Sequence, residues 1–439
     1  FAEAGNMAFQ TVDQLLARFK ALGAIRVFCK HLSENDNSKQ QIYLGGSFEA
    51  LTFFPHGEIM GYPELSRPNF KAPLDFYWFD SNAIGRAHNA QLILYPKYPE
   101  VRLSGFLLGC ELAPSEHLQP RHKASRDGHD GRVLVFGTTP DSKIFAHLAS
   151  ESSPLANALL GKFQASDGNG LLLELTLPVG SDQNRDRVLT RLRQIHEAGL
   201  HSSCRLDRHG NMIPYAARNG GGYTLEALLG IKPNGDASPD YLGWEIKAYS
   251  QQRVTLMTPE PDGGYYGEQG ARAFVGRYGH DTASGGRYFT GLHRVGNVCR
   301  QTGLILNVRG FSPALPGQMD VGGAIQLLDA NGNEAASWAF AQLLTHWNRK
   351  HAFAAYVPYA SQPTPPSYHY NSPVLMGEHT DFIKYLRALC SGAVIFDPGS
   401  KVSGSGSGAS HVKARSQFRI NVRDLHQLYQ KLTAEPLHP

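Results

Sequence analysis

Apolar positions recur at helical spacing from 9 to 22, where Phe9, Val12, Leu15, Leu16, Phe19 and Leu22 fall on one face and Gly23 supplies a stop. The pattern then changes. Short runs of β-forming residues follow at 25–29, 41–44, 74–79, 91–95, 101–108 and 132–136, separated by stretches rich in Asn, Asp, Gly and Pro. A last run, 171–177, ends at Pro178-Val-Gly-Ser-Asp-Gln-Asn184. Residues 1–180 therefore read as a mostly β domain with a leading helix, and the polar stretch after it reads as a boundary.

Helical spacing returns at 185–198, with Val188, Leu189, Leu192, Ile195 and His196 on one face and Gly199 as terminator. A short helix is predicted at 224–229, with Thr224 as N-cap and Gly230 past its end. Strands are predicted at 241–249, 324–329 and 393–396, and helices at 335–351 and 379–390. The region 184–439 thus reads as a second, α/β domain. The run Ser403-Gly-Ser-Gly-Ser-Gly408 predicts a flexible loop, followed by the basic positions His411, Lys413, Arg415, Arg419 and Arg423.

Composition bounds these expectations. The 439 residues suit two domains, and 41% hydrophobic with 18% charged residues is ordinary for a folded chain. A net charge of +4 permits nucleic-acid binding without arguing for it; local clustering of Lys and Arg matters more. The five cysteines contain no Cys-x-x-Cys pair, which disfavours a zinc ribbon or a disulfide framework and fits a reducing cytoplasm. No apolar run approaches the ~20 residues that span a bilayer, so no membrane partner is expected. Met7 reads as the natural start, with six residues ahead of it.

The chemistry lies in Ser238-Pro-Asp-Tyr-Leu-Gly-Trp-Glu-Ile-Lys-Ala-Tyr249. In an extended strand Glu245 and Lys247 share one face, ~7 Å apart, while Trp244, Ile246 and Ala248 take the other. Asp240 lies shortly before them. Two carboxylates and a lysine at a strand edge suit phosphodiester hydrolysis. Asp240, Glu245 and the carbonyl of Ile246 form an all-oxygen donor set of the kind Mg²⁺ prefers, and Lys247 could orient water and stabilise developing charge. By residue type alone, an exposed Glu–Lys ion pair worth ~0–1 kcal/mol is the commoner reading.

The run Gly222-Tyr-Thr-Leu-Glu-Ala-Leu-Leu-Gly-Ile-Lys232, followed by Pro239-Asp-Tyr-Leu-Gly-Trp-Glu-Ile-Lys247, resembles the MvaI/BcnI family of restriction endonucleases, relatives of the MutH repair nickase among PD-(D/E)xK nucleases. The resemblance continues through Thr258-Pro-Glu-Pro-Asp-Gly-Gly-Tyr265 and Arg415-Ser-Gln-Phe-Arg-Ile420, covering residues 184–439. It implies a central mixed sheet flanked by helices, Asp240 and Glu245 as metal-binding carboxylates, Lys247 as catalytic lysine, and Glu226 as an additional acidic residue near the metal. It also implies a monomeric, Mg²⁺-dependent enzyme that reads a short CC(N)GG-type site in double-stranded DNA, with a host methyltransferase acting on the same site. Base readout is expected from His411, Lys413, Arg415 and Arg419, since arginine pairs bidentately with guanine. Arg287, His293 and Arg294 are candidate phosphate contacts.

In the first domain, Lys30-His-Leu-Ser-Glu-Asn-Asp-Asn-Ser38 resembles the start of the EcoRII-type effector domain, a DNA-binding pseudobarrel. That resemblance places Ser33, Asn35, Asp36 and Lys39 in a DNA-contacting arm. Asn, Asp and Ser are equally what a β-turn prefers. The function read from the sequence is a type II restriction endonuclease with an accessory N-terminal DNA-binding domain. Its alternatives are a MutH-like nickase working with partner proteins and a non-catalytic DNA-binding protein with a degenerate nuclease fold.

Overall fold

The structure, a computed structural model, describes residues 9–32, 41–45, 51, 53–95, 100–118, 131–165, 172–177, 183–217, 219–232, 240–282, 286–315, 319–351, 353–403 and 411–438. The chain divides into two compact units, Phe1–Asp186 and Arg187–Pro439.

The first unit is mostly β. One sheet runs in the order Leu173–Leu175, Arg26–Leu32, Arg132–Thr138, Lys143–Ala149, Asp75–Phe79, Ile84–Arg86. A second runs Gln41–Gly45, Glu100–Ser104, Gln91–Tyr95, Asn69–Pro73, Met60–Tyr62. The leading helix, Val12–Ala21, starts with a capping box in which Thr11 accepts from the Gln14 N–H and Gln14 reaches back to the Thr11 N–H. Its face of Leu15, Leu16 and Phe19 packs with Val27, Val133 and Val135 of the first sheet and with Leu155 and Leu159 of the helix Pro154–Ala165. Gly137 lets this happen: a Cβ there would stand 2.3 Å from the Phe19 ring. The strand expected at 101–108 ends at Ser104, because Gly105 turns the chain with φ +70°. Residues Ser33, Asn35, Asp36 and Lys39, the expected effector arm, lie outside the described residues.

The second unit is built on a mixed sheet. Glu245–Tyr249 pairs in parallel with Phe353–Pro363, in the register Glu245↔Ala354 and Lys247↔Tyr356. Phe353–Pro363 pairs antiparallel with Pro366–Tyr370 and with Val374–Glu378, and the latter with Lys431–Glu435. The helix Gln183–Glu197 lays Val188, Leu189, Leu192 and Ile195 against Trp244, Ile246, Ala355, Val357 and Met376. Among the described residues four smaller sheets complete the unit: Cys204–Leu206 and Met212–Pro214; Arg253–Met257, Phe418–Asn421 and Val394–Phe396; His280–Asp281, Arg287–Thr290, Gly399–Ser403 and His411–Lys413; and Ile305–Phe311, Met319–Leu328 and Glu334–Ala339.

The helix expected at 335–351 begins late. Glu334–Ala339 is a strand paired with Met319–Leu328, and the helix is Phe340–Lys350. Pairing removes Ala335, Ala336 and Trp338 from water, and the Trp338 indole donates to the Pro259 carbonyl at 3.0 Å. Among the described residues no helix is long and apolar enough to cross a membrane.

Leu192 is 1% exposed under the sheet that carries Glu245 and Lys247. Leu192→Ala should destabilise the second unit by about 2–5 kcal/mol, through lost burial and the cavity left behind. Urea unfolding followed by tryptophan fluorescence measures this.

Candidate active site

Asp240 reaches the strand through a two-residue turn. Tyr241 and Trp244 exchange both backbone hydrogen bonds, at 3.0 and 2.9 Å, while Leu242 (φ 52°) and Gly243 (φ 85°) occupy the left-handed region. Positive φ at both central positions is the signature of the type I′ turn, and a leucine there is strained. The hairpin folds the chain back so that Asp240 Oδ2 accepts from the Ile246 N–H at 3.0 Å. Six positions of sequence separation are thereby erased.

The strand alternates as expected. Trp244 and Ile246 are buried and Ala248 packs against the same core. The opposite face differs from a solvated one. Lys247 Nζ donates to Glu245 Oε1 at 2.9 Å, with the two side chains only 16% and 7% exposed. The surface ion pair of the sequence reading is therefore replaced by a desolvated one, whose hydration both groups have largely surrendered. Tyr356, the cross-strand neighbour of Lys247, shares a 2.8 Å hydroxyl contact with Tyr429. Burial, with the Glu245 charge adding to it, pushes both phenols well above the usual tyrosine range. Gly377 makes room for the Tyr429 ring, which a Cβ would meet at 2.7 Å.

Glu226 sits on the helix Gly220–Leu228, which starts earlier than the predicted 224–229. Thr224 is not its N-cap. It is fully buried inside the helix, accepting from the Cys204 N–H at 3.0 Å and donating to the Cys204 carbonyl at 3.1 Å. Glu226 accordingly belongs to the C-terminal half of the helix rather than its first turn. The Tyr370 hydroxyl donates to the Gly221 carbonyl at 2.7 Å and fixes the other end.

A cleft of about 1120 Å³ opens at this strand, lined among others by Glu226, Ile246, Lys247, Tyr249 and Gln251. Ile246, whose side chain lies in the core, contributes through its backbone. The same cleft receives Arg253, Lys401, Lys413, Arg415 and Arg419, with Tyr215, Tyr288 and Tyr359 between them. Lys413, Arg415 and Arg419 are thus brought to Lys247, but not along one continuous strand face. Residues 414–417 interrupt the ladder, and His411–Lys413 and Phe418–Asn421 belong to different sheets. His411 pairs with Ser403 through its backbone, and its side chain lies outside the described residues. Arg419 is held by Asp397 at 2.8 Å and by the Arg253 carbonyl at 3.3 Å. Arg253, Lys401 and Tyr288 were not singled out from the sequence. Alternation of Gly399, Lys401 and Ser403 was the signal that could have found the lysine.

Asp240, Glu245 and the Ile246 carbonyl are all oxygen donors gathered at one hairpin, a chemistry that fits a hard divalent cation such as Mg²⁺. Among the described residues, no group of three or more His, Cys, Asp or Glu side chains is close enough to hold a metal. The stretch 258–265 is tied to the strand Glu334–Ala339. Asp262 accepts from the Ala339 N–H at 3.0 Å, and Gly263 bridges Ser337.

The remaining phosphate candidates separate. Arg287 pairs with Asp281 at 3.1 Å, and Arg294 is exposed. His293 is no phosphate contact: it is fully buried, its Nε2 meeting the Thr302 hydroxyl at 2.9 Å, and burial lowers its pKa to about 4. Its ordinary value near 6.5 applies only after unfolding. The stability it contributes is therefore complete above pH ~6.5 and is lost as pH falls towards 4, because the unfolded chain takes up the proton first. The unfolding free energy should drop by on the order of 3 kcal/mol across that window from this group. His293→Phe should flatten the profile, as read by denaturant titrations at several pH values.

The profile of the MvaI/BcnI restriction endonuclease family matches residues 189–429. Among solved structures, "Restriction endonuclease MvaI-cognate DNA substrate complex" aligns over 57% of this chain and 98% of its own, at 17% identity and a TM-score of 0.45. "Restriction endonuclease MvaI in the absence of DNA" aligns over 57% and 97%, at 16% identity and a TM-score of 0.33. No curated protein matches the sequence. The profile spans more than half of the residues, and it includes the hairpin, the buried ion pair and the basic strands of the cleft: the chain belongs to the MvaI/BcnI restriction endonuclease family.

Proposed function

We propose that this chain is a Mg²⁺-dependent, sequence-specific type II restriction endonuclease acting in the cytoplasm on double-stranded DNA, at a short CC(N)GG-type site protected by a host methyltransferase. The observation that carries this is the desolvated Glu245–Lys247 pair, with Asp240 folded onto the same strand and with Lys247 lining a cleft that holds five further cations. A cleft of about 1120 Å³ exceeds the ~300–1,000 Å³ of ordinary small-molecule pockets and suits a polymer.

In this reading Asp240, Glu245 and the Ile246 carbonyl hold the metal, which when bound would supply an activated water and neutralise charge on the phosphate. Lys247 is kept close by Glu245, so its ammonium is aimed at the site where charge develops and costs little reorganisation there. The Ile246 N–H fixes the Asp240 carboxylate. Glu226 acts from the neighbouring wall of the cleft. Arg415, exposed over Gly399, is the better candidate for base readout. Arg419 is oriented by Asp397 and presents a preset guanidinium. The enzyme works as a monomer. The first unit, with its two sheets, serves as a pseudobarrel effector module that binds a second DNA site through an arm containing Ser33, Asn35, Asp36 and Lys39.

Digestion of a defined plasmid with Mg²⁺, followed by mapping of the ends, tests this directly. Lys247→Ala should lower the cleavage rate at least ~100-fold, as loss of one stabilising donor does, while duplex binding persists. Retained cleavage would refute the assignment of Lys247. A fragment spanning residues 183–439 should still cut, but without stimulation by a second site in cis. Unchanged stimulation would remove the effector role from the first unit.

A further inference from the structure

One sheet of the cleft carries an arrangement that the catalytic site does not use. Gly399–Ser403 is flanked by Arg287–Thr290 on one side and His411–Lys413 on the other. The register sets Tyr288 opposite Lys401 and Lys401 opposite Lys413. Direct partners in an antiparallel ladder project to the same face, with Cβ atoms roughly 5 Å apart. All three side chains line the cleft that contains Lys247 and Glu226. The Lys401 ammonium lies 5.8 Å from the centre of the Tyr288 ring.

Two like charges placed directly across a ladder repel. Two other cations of the cleft have acidic partners: Lys247 has Glu245 and Arg419 has Asp397. Neither Lys401 nor Lys413 forms an ion pair with any described carboxylate. The fold thus sets two ammonium groups, without acidic partners among the described residues, directly across one ladder inside the cleft. Flexible ammonium groups on neighbouring strands can converge on one oxyanion as point charges, whereas they lack the planar fork that reads a base edge.

We propose that Lys401 and Lys413, with Tyr288 beside them, form a phosphodiester-binding step that seats the DNA backbone across from the catalytic strand. This rests on the nuclease reading above and deepens it. It moves Lys413 from base readout to backbone positioning and adds Lys401 and Tyr288, which no motif marked. A contact of this kind contributes affinity and register without sequence information.

The test uses the full chain carrying Lys247→Ala, so that binding is measured without cleavage. The probes are two 25-base-pair duplexes, one with the mapped cleavage site and one without it, titrated by fluorescence anisotropy at several salt concentrations. Lys401→Gln and Lys413→Gln should each weaken binding to both duplexes by a similar factor. Each should reduce the slope of log K against log salt by about 1, so that between 50 and 200 mM salt the variant loses roughly fourfold less affinity than its parent. Melting temperatures should not fall, since each substitution removes a repulsion. An unchanged slope, or a loss confined to the duplex with the cleavage site, would overturn the phosphate assignment. A Lys247→Ala parent that binds neither duplex would instead refute the nuclease reading itself.

Discussion

The second unit depends on one constraint: a glutamate and a lysine must be held together, nearly out of water, at the end of a strand. Separating two charges from solvent costs several kcal/mol per ion, and their mutual attraction offsets this only when geometry is tight. The geometry here comes from packing beneath the strand. Trp244 and Ile246 are clamped by Leu189, Leu192 and Ile195, so the alternate residues Glu245 and Lys247 have one place to go. A buried ion pair is weak evidence for stability. Lys247 also lines the large cleft, and that makes the pair a candidate for chemistry instead.

The type I′ turn supplies the third candidate group by a different route. It accepts strain at Leu242 and uses Gly243 to bring Asp240 back beside Ile246. Local strain at a site of this kind persists only where surrounding structure over-determines it. Leu242 is itself packed against the core, which is how the strain is held. Opposite the hairpin, cations arrive on strands from separate small sheets. The whole chain carries only +4, yet the cleft concentrates Arg253, Lys401, Lys413, Arg415 and Arg419. It is this local excess, and not the net charge, that would attract a polyanion.

The first unit is a fold in its own right, with a core of its own around Phe19, Val27 and Val135. The family profile begins at residue 189, beyond the end of that unit. The match to the family therefore rests on the second unit alone.

The sequence by itself determined the elements whose signals are local. The helices Val12–Ala21 and Gln183–Glu197 follow from apolar spacing and terminating glycines, the strand Gln91–Tyr95 from its composition, and the face shared by Glu245 and Lys247 from the two-residue repeat of a strand. The motif around Asp240 carried the family. Tertiary structure decided the rest, because burial and pairing are set by partners distant in the chain. Glu334–Ala339 became a strand only because Met319–Leu328 lies beside it. Thr224 entered the core to hold Cys204, and His293 was removed from water against Phe396. Lys401 met Lys413 in a strand pairing whose register nothing in the sequence specifies. Above all, Glu and Lys at alternate positions describe an ordinary solvated pair equally well. Only the packing of the strand against Phe353–Pro363 and the helices beneath it excluded the water and made the pair a candidate active site.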